Sequence, residues 1–193
     1  MKVIKYVPFN IIKVHLLRVL FDYSIGKNVR IGKSIINCDN VFIGDNVYIA
    51  NNNTFSCKSI RIGNDTKIHS GNRVIGRASF VIGNNSRIIN DHFFDVWNNI
   101  TIGDHTWIAG KNSQFWTHGS VHTKKGTKDL SITIGNYNYI GSACLFSPGV
   151  IIKNVSLIGL GSVVSKTFSE SEIIIMGNPC EIIKKNIDWR VNW

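Results

Sequence analysis

Isoleucine recurs every sixth residue through most of this chain. Ile25 and Ile31, Ile43 and Ile49, Ile62 and Ile68, Ile82 and Ile88, Ile102 and Ile108, Ile134 and Ile140, and Ile152 and Ile158 form seven such pairs. An apolar or amide residue follows near the next sixth position: Asn37, Phe55, Val74, Phe94, Gln114, Phe146 and Val164. A helix repeats about every 3.6 residues and a strand about every 2, so neither repeats one residue type at this spacing. A triangular coil does, with six residues to each flat face and three faces to a turn. The pairs begin at residues 25, 43, 62, 82, 102, 134 and 152, so successive turns take 18, 19, 20, 20, 32 and 18 residues. Eighteen is the bare turn, and the excess marks insertions at the corner after the third face. Stacked at roughly 4.7–4.9 Å, the turns predict a prism roughly 34 Å long whose isoleucines pack in columns. Burying each is expected to stabilise by about 1.5–3 kcal/mol before entropy is subtracted. The pattern therefore predicts an all-β solenoid of about seven turns over residues 25–185. A cap segment, 1–24, precedes it; a tail, 186–193, follows it; and a loop, 119–133, is extruded from it.

Glycine often follows the isoleucine, as at Gly26, Gly32, Gly44, Gly63, Gly83, Gly103, Gly135, Gly141 and Gly159. The expected reason is a corner backbone that β-branched residues resist. A second inward column lies four residues after the second isoleucine of each pair: Ile35, Asn53, Asn72, His92, Asn112, Cys144 and Ser162. Buried amides need partners, so asparagines stacked along the axis and bonded to one another are expected there. Residues Asn10–Phe21 read as a helix covering the open end of the prism, with Asn10 as its cap and Pro8 stopping any earlier helix. The alternative use of that segment is peripheral contact with an anionic leaflet through Lys2, Lys5, Lys13 and Arg18.

Composition narrows the partners. A formal charge of +10 over 193 residues implies an anionic ligand or surface. Basic residues are scattered and no nucleic-acid motif is present, so no nucleic-acid partner is expected. Cys38, Cys57, Cys144 and Cys180 show no paired metal spacing, and charges interrupt the apolar N-terminal stretch where a secretory signal would need a continuous one. Reduced thiols and a cytoplasmic location are the expectation, at the inner face of the membrane under the alternative use of the N-terminal segment.

Tandem units of the form Ile-Gly-x-x-small-x resemble the left-handed parallel β-helix of hexapeptide-repeat acyltransferases, and the resemblance covers about residues 25–185. Three segments carry it toward an activity. The run Ile100 to His118-Gly119, containing Gly103-Asp104-His105-Thr106-Trp107-Ile108, is similar to the region leading to the catalytic histidine of galactoside, maltose and cell-surface glycan O-acetyltransferases. Ile134-Gly135 through Gly149, with Ile158 to Lys166, resembles their acetyl-CoA-binding turns, and Gly177-Asn178-Pro179 their closing segment. The resemblance implies an acetyl-CoA-dependent O-acetyltransferase, with coenzyme A and a glycan acceptor as its ligands and no metal. It further implies a homotrimer with acyl sites between neighbouring prisms.

His118 is the expected general base, since it ends the third face of the fifth turn where the long loop begins. Imidazole is the side-chain type suited to taking a proton from a sugar hydroxyl near neutral pH. Asp91 aligns with an acceptor-binding asparagine of the sugar acetyltransferases and is expected either to hold a sugar hydroxyl or to orient His118, with Asp95 as a neighbour able to do the same work. Trp97 and Trp116, clustering with Trp107 and Phe115, offer faces for pyranose rings, and His122 lies in the loop over the cleft. On the donor side the resemblance implies Tyr139 beside the acyl chain and backbone N–H groups of Gly141 and Ser142 toward the thioester oxygen. It also implies Gly159 and Gly161 along the pantetheine arm, and Lys166, Lys184 and Lys185 near the phosphates. Leu160 stands where a small residue is common. Gly119-Ser-Val-His122 follows the histidine where simple-sugar enzymes carry proline and a downstream arginine, which points to a surface polysaccharide or its precursor as acceptor. Two alternatives stand beside this reading: an N-acetyltransferase acting on an amino-sugar nucleotide, and a zinc-dependent carbonic-anhydrase-like hydratase using His118 and His122.

Overall fold

The computed structural model describes residues 4–119 and 129–191, and across them the chain winds into a left-handed parallel β-helix of three sheets. The first face stacks seven strands, from Ser24–Ile25 to Ile151–Ile152, and the third stacks seven, from Ile35–Ile36 to Val163–Val164. The second face continues one strand further, to Ile173–Gly177, and is closed by the antiparallel strand Cys180–Lys185. That hairpin ends the solenoid without leaving a long parallel edge open to other chains. Registers keep the lattice aligned: Ile43 pairs with Ile25 and Ile62, and Ile68 with Ile49 and Ile88. All fourteen isoleucines are buried.

The third face departs from strict spacing in two turns. Its inward column is Ile36, Phe55, Val74, Phe94, Phe115, Phe146 and Val164, so Asn37 and Gln114 point outward instead. In the fifth turn the preceding corner holds one extra residue beside Gly110, whose φ is 63°, and the pairing of Ile88–Asn90 with Ile108–Lys111 slips there. In the first turn the corner is one residue short. Apolar burial decides the register, and the loop absorbs the difference. Phe94, Phe115 and Phe146 stack at centroid spacings of 4.6 and 4.5 Å.

The same two shifts correct the polar column, which is Ser34, Asn53, Asn72, His92, Ser113, Cys144 and Ser162, all buried. Its members do not bond side chain to side chain as expected. Each accepts from the backbone N–H one turn on: Asn53 N–H to Ser34 Oγ, Asn72 N–H to Asn53 Oδ1, His92 N–H to Asn72 Oδ1, and Ser113 N–H to His92 Nδ1. An inter-turn corner amide that misses the sheet ladder is thereby satisfied. The glycines after isoleucine also have a different reason from the expected one. Left-handed angles fall instead on Asn28, Asn46, Asp65, Asn85 and His105. A Cβ at Gly83 would sit 2.2 Å from Asp104 Oδ1, and the equivalent clash recurs at Gly26, Gly44, Gly103 and Gly135. Those oxygens accept the N–H of the residue after each glycine, as Asp104 does from Asn84 at 2.6 Å.

The helix Asn10–Phe21 closes the N-terminal end, but Asn10 does not cap it; the N-cap is Phe9, with no side-chain bond. Asn10 instead donates to Val29 O at 2.7 Å and accepts from Ile31 N–H at 2.8 Å. Lys13 donates to Ile31 O and Gly32 O, and Arg18 to Ile25 O and Gly26 O. The open end of a parallel coil presents exactly such unpaired groups, and three helix side chains take them up. Burial, and then neighbouring Lys33, holds the Lys13 pKa below the ordinary lysine value.

Candidate active site

The third-face strand Gln114–Trp116 delivers the chain to a corner built around Thr117, which is fully buried. Its hydroxyl accepts the N–H groups of Trp97 and Asn98, each at 2.9 Å, and donates to the Asp95 carbonyl at 2.5 Å. Asn98 Nδ2 returns a bond to Thr117 O at 2.7 Å. Two successive turns are thus pinned at this corner, and His118 leaves it in a fixed direction.

Asp95 lies in the strand Phe93–Val96, between inward Phe94 and Val96, and is only 3% exposed. A carboxylate so placed needs donors. Among the described residues Oδ2 accepts from Thr117 N–H at 3.1 Å and His118 Nδ1 at 2.6 Å, with Thr117 Oγ1 at 3.5 Å. Accepting from Nδ1 assigns the proton to that nitrogen, which leaves Nε2 with a lone pair. The imidazole is 48% exposed, so Nε2 is accessible from the open side. Trp97 and Trp116 flank the ring at centroid distances of 5.4 and 6.5 Å. The Arg77 guanidinium lies 4.5 Å over Trp97. A carboxylate, an oriented imidazole and an exposed aromatic face are together suited to binding a hydroxyl compound and removing its proton.

The structure separates several residues that the sequence groups together. Asp91 does not orient His118. It occupies the corner before Phe93 with φ of 57°, a whole face away from His118, or roughly 20 Å at strand rise. Asp95 holds the imidazole in its place. Phe115 is sealed in the core, and Trp107 stands on the second face beside Tyr139, with centroids 6.4 Å apart. His92 is a column member: burial pushes its pKa down to about 4, and its Nε2 lies against the Gly110 carbonyl without closing a full hydrogen bond. His122 falls outside the described residues.

Of the donor-side residues, Gly141, Ser142, Gly159 and Gly161 collect at the second-to-third corner of the sixth and seventh turns, whereas Lys166 follows the third-face strand Val163–Val164, and Lys184 and Lys185 lie in the closing strand. Gly141 N–H is taken by Ile158 O at 2.9 Å, so it is not free for an oxyanion. Ser142 follows it, half-buried, and its carbonyl accepts from Gly161 N–H at 2.8 Å. A Cβ on Gly159 would meet Met176 Cβ at 2.7 Å, whereas Gly161, at φ of 70°, has nothing within 4 Å of that position. Leu160 between them is 81% exposed. Tyr139 packs against Trp189 of the tail at 5.5 Å, and Trp189 Nε1 donates to Tyr137 O. Lys166 is ion-paired with Glu181, and Lys185 with Glu170, while Lys184 is exposed. Within one chain, this corner and the His118 corner stand at opposite ends of the third face. Among the described residues no three His, Cys, Asp or Glu side chains gather as a metal site.

Sequence reasoning missed Thr117 and Trp189. The signal for Thr117 was available, as a β-branched hydroxyl residue at a position where alternation demands burial. Trp189 lies beyond the repeat, where the lattice has no reach.

No family model matches the chain. Galactoside O-acetyltransferase of Escherichia coli strain K12 is 35% identical over 121 residues, covering 61% of this chain and 56% of that protein. The chain thus spans little more than half the length of that curated relative. Among solved structures, AntD, an N-acyltransferase of Bacillus cereus crystallised with an amino-sugar nucleotide and coenzyme A, superposes with a TM-score of 0.58 at 20% identity, over 93% of this chain and 91% of that one. A hexapeptide-repeat-containing acetyltransferase of Vibrio cholerae gives 0.51 at 21% identity, over 95% and 85%. At such identities these two establish the fold.

Proposed function

We infer, from the premise that this chain fits the hexapeptide-repeat acyltransferase family, that it is an acetyl-CoA-dependent O-acetyltransferase acting on a sugar hydroxyl. The observation that carries the reading is the 2.6 Å contact between His118 Nδ1 and buried Asp95. It orients a half-exposed imidazole at a corner lined by tryptophan. The 35% identity to a galactoside O-acetyltransferase supports the same chemistry. His118 Nε2 takes the proton of the acceptor hydroxyl as its oxygen bonds to the thioester carbonyl carbon. The tetrahedral oxyanion then collapses, the C–S bond breaks, and the proton passes from the imidazolium to the departing thiolate. The acetyl group moves directly within a ternary complex, and Asp95 acts as a positioning residue that also stabilises the imidazolium.

The donor corner at Gly141–Ser142 and Gly159–Gly161 is too far from His118 to serve it within one chain. The reading therefore includes a homotrimer, in which the donor corner of one copy faces the imidazole of the next. Surface polysaccharide or its precursor is the acceptor class this reading favours.

The test is acetyl-CoA turnover over a glycan panel, wild type against His118→Ala. Loss of a general base predicts a fall of at least about a hundredfold, with the melting transition unchanged. Full turnover by the folded variant removes His118 from the mechanism. Products stable to mild alkali would be amides and would favour the amino-sugar alternative, because esters are cleaved.

A further inference from the structure

The corner that carries His118 continues toward the N-terminal end of the prism, one residue per turn: Trp97 in the fourth, Arg77 in the third, Lys58 in the second and Asp39 in the first. Backbone bonds fix the stack, with Arg77 N–H on Val96 O, Lys58 N–H on Ala78 O and Asp39 N–H on Lys58 O. Arg77 leans across Trp97 at 4.5 Å, and Trp97 stands 5.4 Å from His118. Below Arg77 the corner opens into a cleft of about 350 Å³, lined by Asn37, Ser56, Lys58, Gly76 and Arg77, with the Asp39 carboxylate at its N-terminal end. Gly76, at the cleft wall, lets the next turn stack closely, since a Cβ there would lie 2.1 Å from Val96 O. Lys58 and Arg77 are exposed and, unlike Lys166 and Lys185, make no salt bridge among the described residues.

We propose that this edge is an acceptor track for an acidic oligosaccharide chain, with one sugar against the exposed edge of Trp97 and the chain's acidic groups held by Arg77 and Lys58. The proposal rests on the O-acetyltransferase reading and deepens it by naming the acceptor's chemistry. At roughly 4.8 Å per turn, Arg77 and Lys58 stand about 10 and 14 Å along the edge from His118, farther than one sugar reaches. A chain longer than a monosaccharide can put a hydroxyl on the imidazole and its charged groups on these cations. The cations are spread along a line. A diphosphate would need donors converging on one point, as at a helix N-terminus or a nest of backbone N–H groups, and among the described residues none converges here. Arg77 presents a planar fork suited to carboxylate, and its stacking on Trp97 holds that fork in place. Asp39 closes the run by repelling any further acidic group.

Binding is measured by tryptophan fluorescence without acetyl-CoA, using trigalacturonate, neutral maltotriose and UDP-galactose as probes. Trigalacturonate is expected to bind more tightly than maltotriose. Arg77→Gln and Lys58→Gln should each weaken it about tenfold, as loss of one charge-assisted contact does, and raised salt should act in the same direction. Equal affinity for the acidic and neutral sugars, or no change in either variant, overturns the track. So does UDP-galactose binding more tightly than trigalacturonate and being weakened by the same variants. Binding that survives while no sugar is acetylated would sink the enzymatic reading and leave the track standing. Acetylation of maltotriose without selective trigalacturonate binding would do the reverse.

Discussion

Asp95 is buried while the imidazole it holds is half in solvent, and this asymmetry divides their labour. On the proposed mechanism, a carboxylate in that position stabilises the imidazolium that forms only as the acceptor proton is taken, so its charge would matter in the transition state. Asp95→Asn keeps the shape and removes the charge. It should lower kcat by at least about tenfold with KM little changed, whereas a purely structural role would move stability and leave the kcat of the folded fraction intact. His92 presents the opposite case, an imidazole kept neutral by burial at a pKa of about 4. An unfolded histidine titrates near 6.5, so between about pH 6.5 and 4 the unfolded chain binds the extra proton and stability falls as pH falls. The full span is worth about 3 kcal/mol, and nothing is lost above pH 7. Urea unfolding at pH 7 and 4.5 should show a smaller acid loss in His92→Asn, which can still accept from Ser113 N–H. An identical loss in both proteins would exclude His92 as the titrating group. Of these two histidines, His118 was legible from its corner and its neighbouring loop. Its partner was not fixed by sequence, because Asp91 and Asp95 differ by less than one face, and only the register decides which reaches the ring.

At the scale of elements the sequence was legible wherever burial is periodic and illegible at the corners. Isoleucines on the first two faces fall where the count of six puts them. The third face slips by one residue in the first and fifth turns, because a corner can gain or lose a residue while the phenylalanine column stays buried. The N-terminal helix shows the same limit. Its span was readable from the apolar run, but propensity assigns Asn10 to capping its own helix, while the unpaired strand edge at Val29–Ile31 competes for the same amide and wins. Asn10→Ala removes two bonds to that edge and should cost about 1–3 kcal/mol of unfolding free energy. His15→Ala on the exposed side of the same helix should cost within about 0.5 kcal/mol. Equal effects from the two substitutions would mean that the helix is held by apolar contacts alone.

At the scale of the whole molecule, the proposed acceptor and donor corners are two half-sites set apart on one prism. The His118 imidazole stands at the third-to-first corner of the fifth turn. The Ser142 and Gly161 wall stands at the second-to-third corner of the sixth and seventh turns, with a rigid sheet between them. On the proposed reading, acyl transfer that uses both corners occurs between copies. This yields a test by mixing two inactive chains. His118→Ala lacks the base and keeps the wall. Gly161→Trp keeps the base and blocks the wall; the space around its Cβ is open, so the cost is the strain of a left-handed angle, roughly 1–2 kcal/mol. Each variant alone should be inactive. Unfolded together and refolded at equal amounts, random trimers place an intact base against an intact wall at about one interface in four, so about a quarter of wild-type turnover should return. A site complete within one chain forbids any recovery, however the copies assemble.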